Sequence, residues 1–153
     1  MMLAIDVSSD ESVTLASESV ASSFETEAKP LYGIINNAGI GSSSIGLEPT
    51  LQVNTWGIHR VCEAFIPLLE ASGRIVNVTS AAGPNFVEAA DDVTRTMLTD
   101  PNVQWDAVEE YMNRCISESK DSASTTSGLG NAYGLSKACA NALTLILARE
   151  IQG

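Results

Sequence analysis

The sequence predicts an alternating α/β fold built on a doubly wound parallel sheet. Three observations carry this. Short apolar runs alternate with longer stretches of helical periodicity, in the order strand–helix–strand–helix–strand–insert–helix. The runs "MMLAIDV", "LYGII" and "GRIVNVTS" are joined by helical stretches rather than tight turns, which implies parallel strands with right-handed crossovers. The polar residues that could do chemistry lie at the carboxyl ends of those runs, where open α/β sheets bind their ligands. Asp6 closes the first run, Asn36–Gly39 follow the second, and Ser80 ends the third.

Each element has its own signal. Met1 to Val7 reads as a short strand. In "SSDESV", Ser8 with Glu11 matches a capping box, and acids crowd the first helical turn. Val13, Ala16, Val20 and Phe24 follow at helical spacing, and Pro30 stops the segment. Residues 31–35 form a buried parallel strand. A glycine- and serine-rich loop, "NNAGIGSSSIG", comes next. "TLQVNTWGIHRVCEAFIPLLEAS" is a long helical pattern with Val53, Gly57, Val61, Cys62, Phe65, Leu68 and Leu69 on one face. Pro67 inside it predicts a kink or a late break. Residues 73–80 form the third strand, rich in β-branched side chains. The stretch 84–130 departs from the alternation. Trp105, Val108, Met112, Cys115 and Ile116 predict one amphipathic helix there, and "DSASTTSGLG" a polar, mobile loop. The last helix, "NAYGLSKACANALTLILAREIQ", places Ala138, Ala142, Leu145 and Ile146 on one side.

Composition excludes several classes. The 153 residues suffice for one domain with a core, and 44% are hydrophobic. A formal net charge of −11 argues against nucleic acid or an anionic membrane as partner. Cys62, Cys115 and Cys139 form no CxxC pair, so neither a disulfide framework nor a zinc site is expected, and reduced thiols fit an intracellular, cytoplasmic protein. The opening residues predict no secretory leader, and no apolar run reaches the roughly 18 residues of a membrane span. The acidic pairs Asp91–Asp92 and Glu109–Glu110 lack a neighbouring His or Cys at ligand spacing, so no metal site is expected. His59, the only histidine, has no relay partner and reads as a packing or surface residue.

"NAYGLSK" places Tyr133 four residues before Lys137, so phenol and ammonium share a helix face one turn apart. A free tyrosine titrates near pH 10, too high for easy proton exchange at neutral pH. A neighbouring ammonium favours the phenolate, which makes Tyr133 a candidate general acid or base. A surface tyrosine and lysine on a wet helix turn is the plain alternative. Ser80, at a strand end, can polarise a carbonyl as an oxyanion donor, or merely cap the strand. Asn54 sits early in the long helix, where an amide is mildly disfavoured and asks for a reason. Gly39 lets backbone approach a ligand closely.

"NNAG" at 36–39, "VNTWG" at 53–57, "VNVTS" at 76–80 and "YGLSK" at 133–137 occur in the order of a short-chain dehydrogenase/reductase, which the chain resembles over almost its whole length. Tyr133 lies 53 positions after Ser80, a far longer gap than most members have. That insert, with "RVCEAFIPLL" and "GRIVNVTS", is similar to the monomeric carbonyl reductases and the plant menthone- and salutaridine-type reductases. The resemblance implies a single, partial Rossmann-like domain over 1–153, with three strands kept and an insert at about 84–130. It implies a monomer that uses NADPH, with NAD the alternative, and acts on a small carbonyl or alcohol substrate. By the same resemblance Asn54, Ser80, Tyr133 and Lys137 are catalytic. Tyr133 would donate the proton, Ser80 hold the substrate oxygen, Lys137 also bond the nicotinamide ribose, and Asn54 hold a relay water. Asp6 and Val7 would contact the adenine ring, and Asn37, Ala38 and Gly39 border the adenosine ribose. Asp6 reads almost as well as a plain helix-start acid, and the 37–39 loop as a structural turn.

The chain departs from the family pattern in lacking the TGxxxGxG phosphate loop and the later strands, so it resembles a central segment of a reductase. Weak or absent NADPH affinity is therefore expected of the isolated chain. A non-catalytic, truncated relative that serves as an interaction module is the competing expectation. An extended-type epimerase also uses YxxxK, but "NNAG" followed by "VNTWG" fits it less well.

Overall fold

A computed structural model describes residues 2–24, 28–41, 45–121 and 132–152. The chain builds α1 (Asp10–Ser23), β1 (Leu31–Asn36), α2 (Leu47–Leu51), a π-helical turn (Gln52–Trp56), α3 (Gly57–Phe65), a 3-10 turn (Ile66–Leu68) and β2 (Leu69–Asn77). Then follow α4 (Ala82–Ala89), α5 (Asp92–Thr99), α6 (Trp105–Asp121) and α7 (Ala132–Gln152). The arrangement is mostly helical around a small parallel sheet, a partial Rossmann-like α/β fold.

β1 and β2 run parallel, with Ile34, Ile35 and Asn36 opposite Ile75, Val76 and Asn77. The predicted count of three strands is corrected to two among the described residues: residues 2–6 are irregular, with Met2, Leu3 and Ile5 exposed. A strand exists only by pairing, and this segment bonds to a helix start instead. The Asp6 amide donates to Ser12 Oγ at 2.9 Å. The cap of α1 is Ser9, whose Oγ accepts from the Ser12 amide, not Ser8. Ser8 donates its own hydroxyl to the Asp6 carboxylate at 2.6 Å, which removes it from the cap.

β2 begins at Leu69 and ends at Asn77, rather than spanning 73–80. Its register shifts between Leu31 and Gly33. The β-branched run marked only the regularly paired half, and the Val78 amide still reaches the Asn36 carbonyl at 3.0 Å. The long helical pattern breaks late, as Pro67 implies: α3 stops at Phe65 and Pro67 lies in the 3-10 turn. The insert holds more helix than expected. α4 and α5 precede α6, and α5 is only 8 residues long, too short to show a periodic signal. Its start is marked by Asp91, which accepts from the Thr94 amide at 2.9 Å and hydroxyl at 3.0 Å. Those bonds hold the Asp91 carboxyl below the usual range. The loop expected at 121–130 lies outside the described residues from 122 onward.

The core has two main parts. Val13, Ala16 and Val20 of α1 pack with Ile34, Phe65 and Leu69 over one face of the sheet. The larger part surrounds α7, where Ala138, Ala142 and Ile146 meet Val108, Met112 and Cys115 of α6. Leu145 is the exception on α7: it is 47% exposed, because its position turns away from the insert. The insert is tied down at several points. Trp56 Nε1 donates to Glu109 at 2.8 Å, Lys120 pairs with Glu48 at 2.8 Å, and Arg149 donates to the Pro101 and Val103 carbonyls. No helix among the described residues is long and apolar enough to cross a membrane.

All three cysteines are buried and free. Burial raises each thiol above its ordinary range, Cys62 to about 11. Thiolate is the reactive form, so the folded chain should resist iodoacetamide at neutral pH and take up three equivalents only on unfolding. Rapid labelling of the native protein, read by intact mass, would contradict this burial.

Candidate active site

α7 projects Tyr133 and Lys137 toward the end of β2. Lys137 is 4% exposed, yet no carboxylate pairs with it among the described residues. Its Nζ donates to the Val78 carbonyl at 2.9 Å, one residue beyond the last paired turn of the strand. It stands 5.6 Å from the Tyr133 ring centroid. Burying an ammonium costs free energy unless it is paired. One carbonyl leaves two of the three N–H groups for acceptors that the described side chains do not supply.

Asn54 is fully buried within the π turn. Its Oδ1 accepts from the Ile40 amide at 2.8 Å, and its Nδ2 donates to the Ile40 carbonyl at 2.8 Å and to Ser136 Oγ at 3.0 Å. Thr55 Oγ1 donates to the Ser136 carbonyl at 2.9 Å. One turn of widened helix thus grips both the loop after β1 and the start of α7. π turns inside α-helices recur at functional sites, and here the turn aims Asn54 and Thr55 inward together. Gly39 comes close to both partners: a β-carbon there would stand 3.3 Å from Asn54 Oδ1 and 3.6 Å from Lys137 Nζ.

Ser80 follows β2 and opens α4. Its Oγ accepts from the Ala82 amide at 3.2 Å and its carbonyl from the Gly83 amide at 3.0 Å. α4 rests directly on α7. A β-carbon at Gly83 would lie 2.9 Å from the Lys137 carbonyl carbon, so only glycine permits this approach. Ser80 is thereby registered against the helix that carries Lys137. Behind the site, Asn36 Nδ2 donates to Asn77 Oδ1 at 2.8 Å, and Asn77 Nδ2 to Thr144 Oγ1 at 2.9 Å. This polar chain locks the ends of both strands to α7.

The structure therefore brings together Asn54, Lys137, Tyr133 and Gly39, with Ser80 on the adjoining turn. Asn37 and Ala38 are exposed at the tip of the turn after β1, where the Asn37 amide meets the Ile35 carbonyl at 3.1 Å. Asp6 and Val7 have other partners, among them Ser12 and Arg60. The Asp6 carboxylate is occupied by Ser8, whose hydrogen bonds hold it below the usual range. Val7 packs against Gly57. His59 stacks on Trp105 with ring centroids 4.1 Å apart, a packing role. Ile40, Ser136, Val78 and Gly83 escaped the sequence reading. Three of them act through backbone groups, which leave no side-chain signature. Ser136 alone had one, a small hydroxyl on the inward face of the Tyr133–Lys137 turn.

A family model for short chain dehydrogenases matches residues 1–90. The chain belongs to the short-chain dehydrogenase family. This family member is 39% identical over 87 residues to the mitochondrial D-beta-hydroxybutyrate dehydrogenase of Bos taurus, covering 52% of this chain and 25% of that protein. It is 30% identical over 127 residues to the NADPH carbonyl reductase 3 of Rattus norvegicus, covering 77% of this chain and 46% of that protein. Among solved structures, salutaridine reductase from Papaver somniferum matches with a TM-score of 0.75 and 26% identity, over 97% of this chain and 64% of that one. The short-chain dehydrogenase chain thus spans less than half the length of these two curated relatives.

Proposed function

We propose that this chain carries the proton-transfer half of an NADP(H)-dependent, carbonyl reductase-type oxidoreductase, with NAD the alternative cofactor. The observation that carries the reading is the buried Lys137 ammonium. Among the described residues it has one carbonyl acceptor and no paired carboxylate, with Tyr133 one turn away. Its two further N–H donors would fit the paired hydroxyls of a ribose. The nicotinamide, when bound, supplies the hydride for a ketone or aldehyde carbon. Tyr133 donates a proton to the developing alkoxide, and Ser80 donates a hydrogen bond to the same oxygen. Lys137 holds the ribose. Both carboxamide donors of Asn54 are filled, so a relay water would meet it as an acceptor. Asn37, Ala38 and Gly39 would border the adenosine ribose. Val7 would contact the adenine ring, while for Asp6 the bonds to Ser8 and Ser12 favour the helix-start role over an adenine contact. The covering of α7 by the insert supports a monomer, and the thiol chemistry supports the cytoplasm.

The test is NADPH oxidation against a panel of ketones and aldehydes, over a range of cofactor concentrations. Tyr133→Phe should lower turnover by about 10²–10⁴-fold with the fold intact. Turnover indifferent to that change, or absent in the wild-type chain, would remove the catalytic reading. A second reading has its own observation. Ile35 (71% exposed) and Val76 (49%) form an uncovered apolar pair on the sheet, beside Val78 (41%). Parallel sheets are ordinarily covered on both faces, which favours a non-catalytic interaction module. Sedimentation showing concentration-dependent association, lost in Ile35→Lys, would favour it.

A further inference from the structure

Three candidate catalytic residues lie against one short stretch of backbone, Gly39–Gly41. Asn54 holds Ile40 by both its amide and its carbonyl, and Gly39 faces Lys137. Gly41 lies against the Tyr133 ring. A β-carbon at Gly41 would stand 2.8 Å from Tyr133 Cδ2, 3.0 Å from Cε2 and 3.5 Å from Cγ. Carbon atoms rest about 3.5–4.0 Å apart, so the ring occupies the space that any side chain at 41 would need. Gly46 is the glycine with a positive φ among the described residues, so Gly41 is not there for a left-handed backbone. What it supplies is the missing side chain.

We propose that Gly41 is a positioning residue: its bare backbone sets where the Tyr133 ring stands, through a loop that Asn54 clamps. The inference rests on the catalytic reading of Tyr133 given above. The Tyr133 hydroxyl makes no hydrogen bond with a described residue, so packing against Gly41 takes over the task of orienting the phenol. The loop that follows β1 then couples Lys137 and Tyr133 in one rigid unit.

The experiment uses the full chain with 3-fluorotyrosine at its three tyrosines, Tyr32, Tyr111 and Tyr133, assigned by Tyr133→Phe. Gly41→Ala should move the Tyr133 fluorine resonance and leave the other two in place. It should lower Tm in the wild-type background and leave Tm unchanged in a Tyr133→Ala background, where the ring is gone. With turnover present, kcat should fall about ten- to hundredfold at little change in KM for NADPH. An unmoved resonance together with an equal Tm loss in both backgrounds overturns the positioning role, whatever the activity. A moved resonance with unchanged kcat, where Tyr133→Phe abolishes turnover, overturns its functional purpose. A wild-type chain without turnover, yet with the resonance and Tm coupling as expected, sinks the catalytic reading and leaves the ring placement standing.

Discussion

Asn54→Ala should destabilise the chain by about 3 kcal/mol, the largest effect expected of any single side chain at the site. The truncation removes three hydrogen bonds and leaves the Ile40 amide and carbonyl short of a partner, while Ser136 Oγ keeps only its bond to the Tyr133 carbonyl. Each such loss costs about 1 kcal/mol or more. At about 2–4 °C per kcal/mol for a domain of this size, Tm should fall by about 10 °C. Asn54→Asp separates geometry from hydrogen bonding. It keeps the acceptor for the Ile40 amide but turns a carboxylate oxygen on the Ile40 carbonyl, so it should be no better than alanine. Thermal unfolding of both variants checks the argument. A loss below about 1 kcal/mol for alanine would mean that water enters and replaces the clamp.

Gly83→Val is the second. A β-carbon at 83 meets the Lys137 carbonyl carbon at 2.9 Å, its oxygen at 3.0 Å and Asn141 Nδ2 at 2.9 Å. Two of these are backbone atoms of a buried helix, which cannot rotate aside. α4 must lift away, at an overpacking cost of about 1–3 kcal/mol, and Ser80 moves with it. The expected signature is therefore double: a lower Tm, and a loss of turnover that exceeds what stability alone explains. Gly33→Ala is the control. There a β-carbon would meet only the Arg74 carbonyl at 3.5 Å, an ordinary contact, so stability should stay within about 0.5 kcal/mol. Equal losses in Gly83→Val and Gly33→Ala would show that helix approach is not what position 83 protects.

The elements read best in sequence were those whose signal is local and long. α7 shows 21 residues of helical pattern, and β1 an apolar run bounded by Pro30 and an Asn pair, though the strand expected to be buried leaves Tyr32 and Ile35 exposed. The end of α3 was legible because proline cannot continue a helix. The first strand misled for a physical reason. "MMLAIDV" has strand composition, but composition does not provide a pairing partner, and the segment bonds to α1 instead. α4 and α5 were missed because helices this short show about two turns of periodicity, less than the window that separates helix from loop. Of the candidate catalytic residues, Tyr133 and Lys137 were visible as an i, i+4 pair and Ser80 as a strand end. Asn54 was visible only as an amide out of place.

By itself the sequence determined the alternation of strand and helix, the family motifs and their order, and therefore which side chains could do chemistry. Those are properties of residues within a turn or two of one another. The tertiary structure decided what each of them touches. It made Asn54 a clamp rather than a solvated amide, bonded Asp6 to Ser8 and Ser12, buried Lys137 with a single carbonyl acceptor among the described residues, and made Gly41 and Gly83 residues that matter for the side chain they lack. Each depends on backbone approaching backbone across tens of residues, and no local pattern encodes a distance between elements.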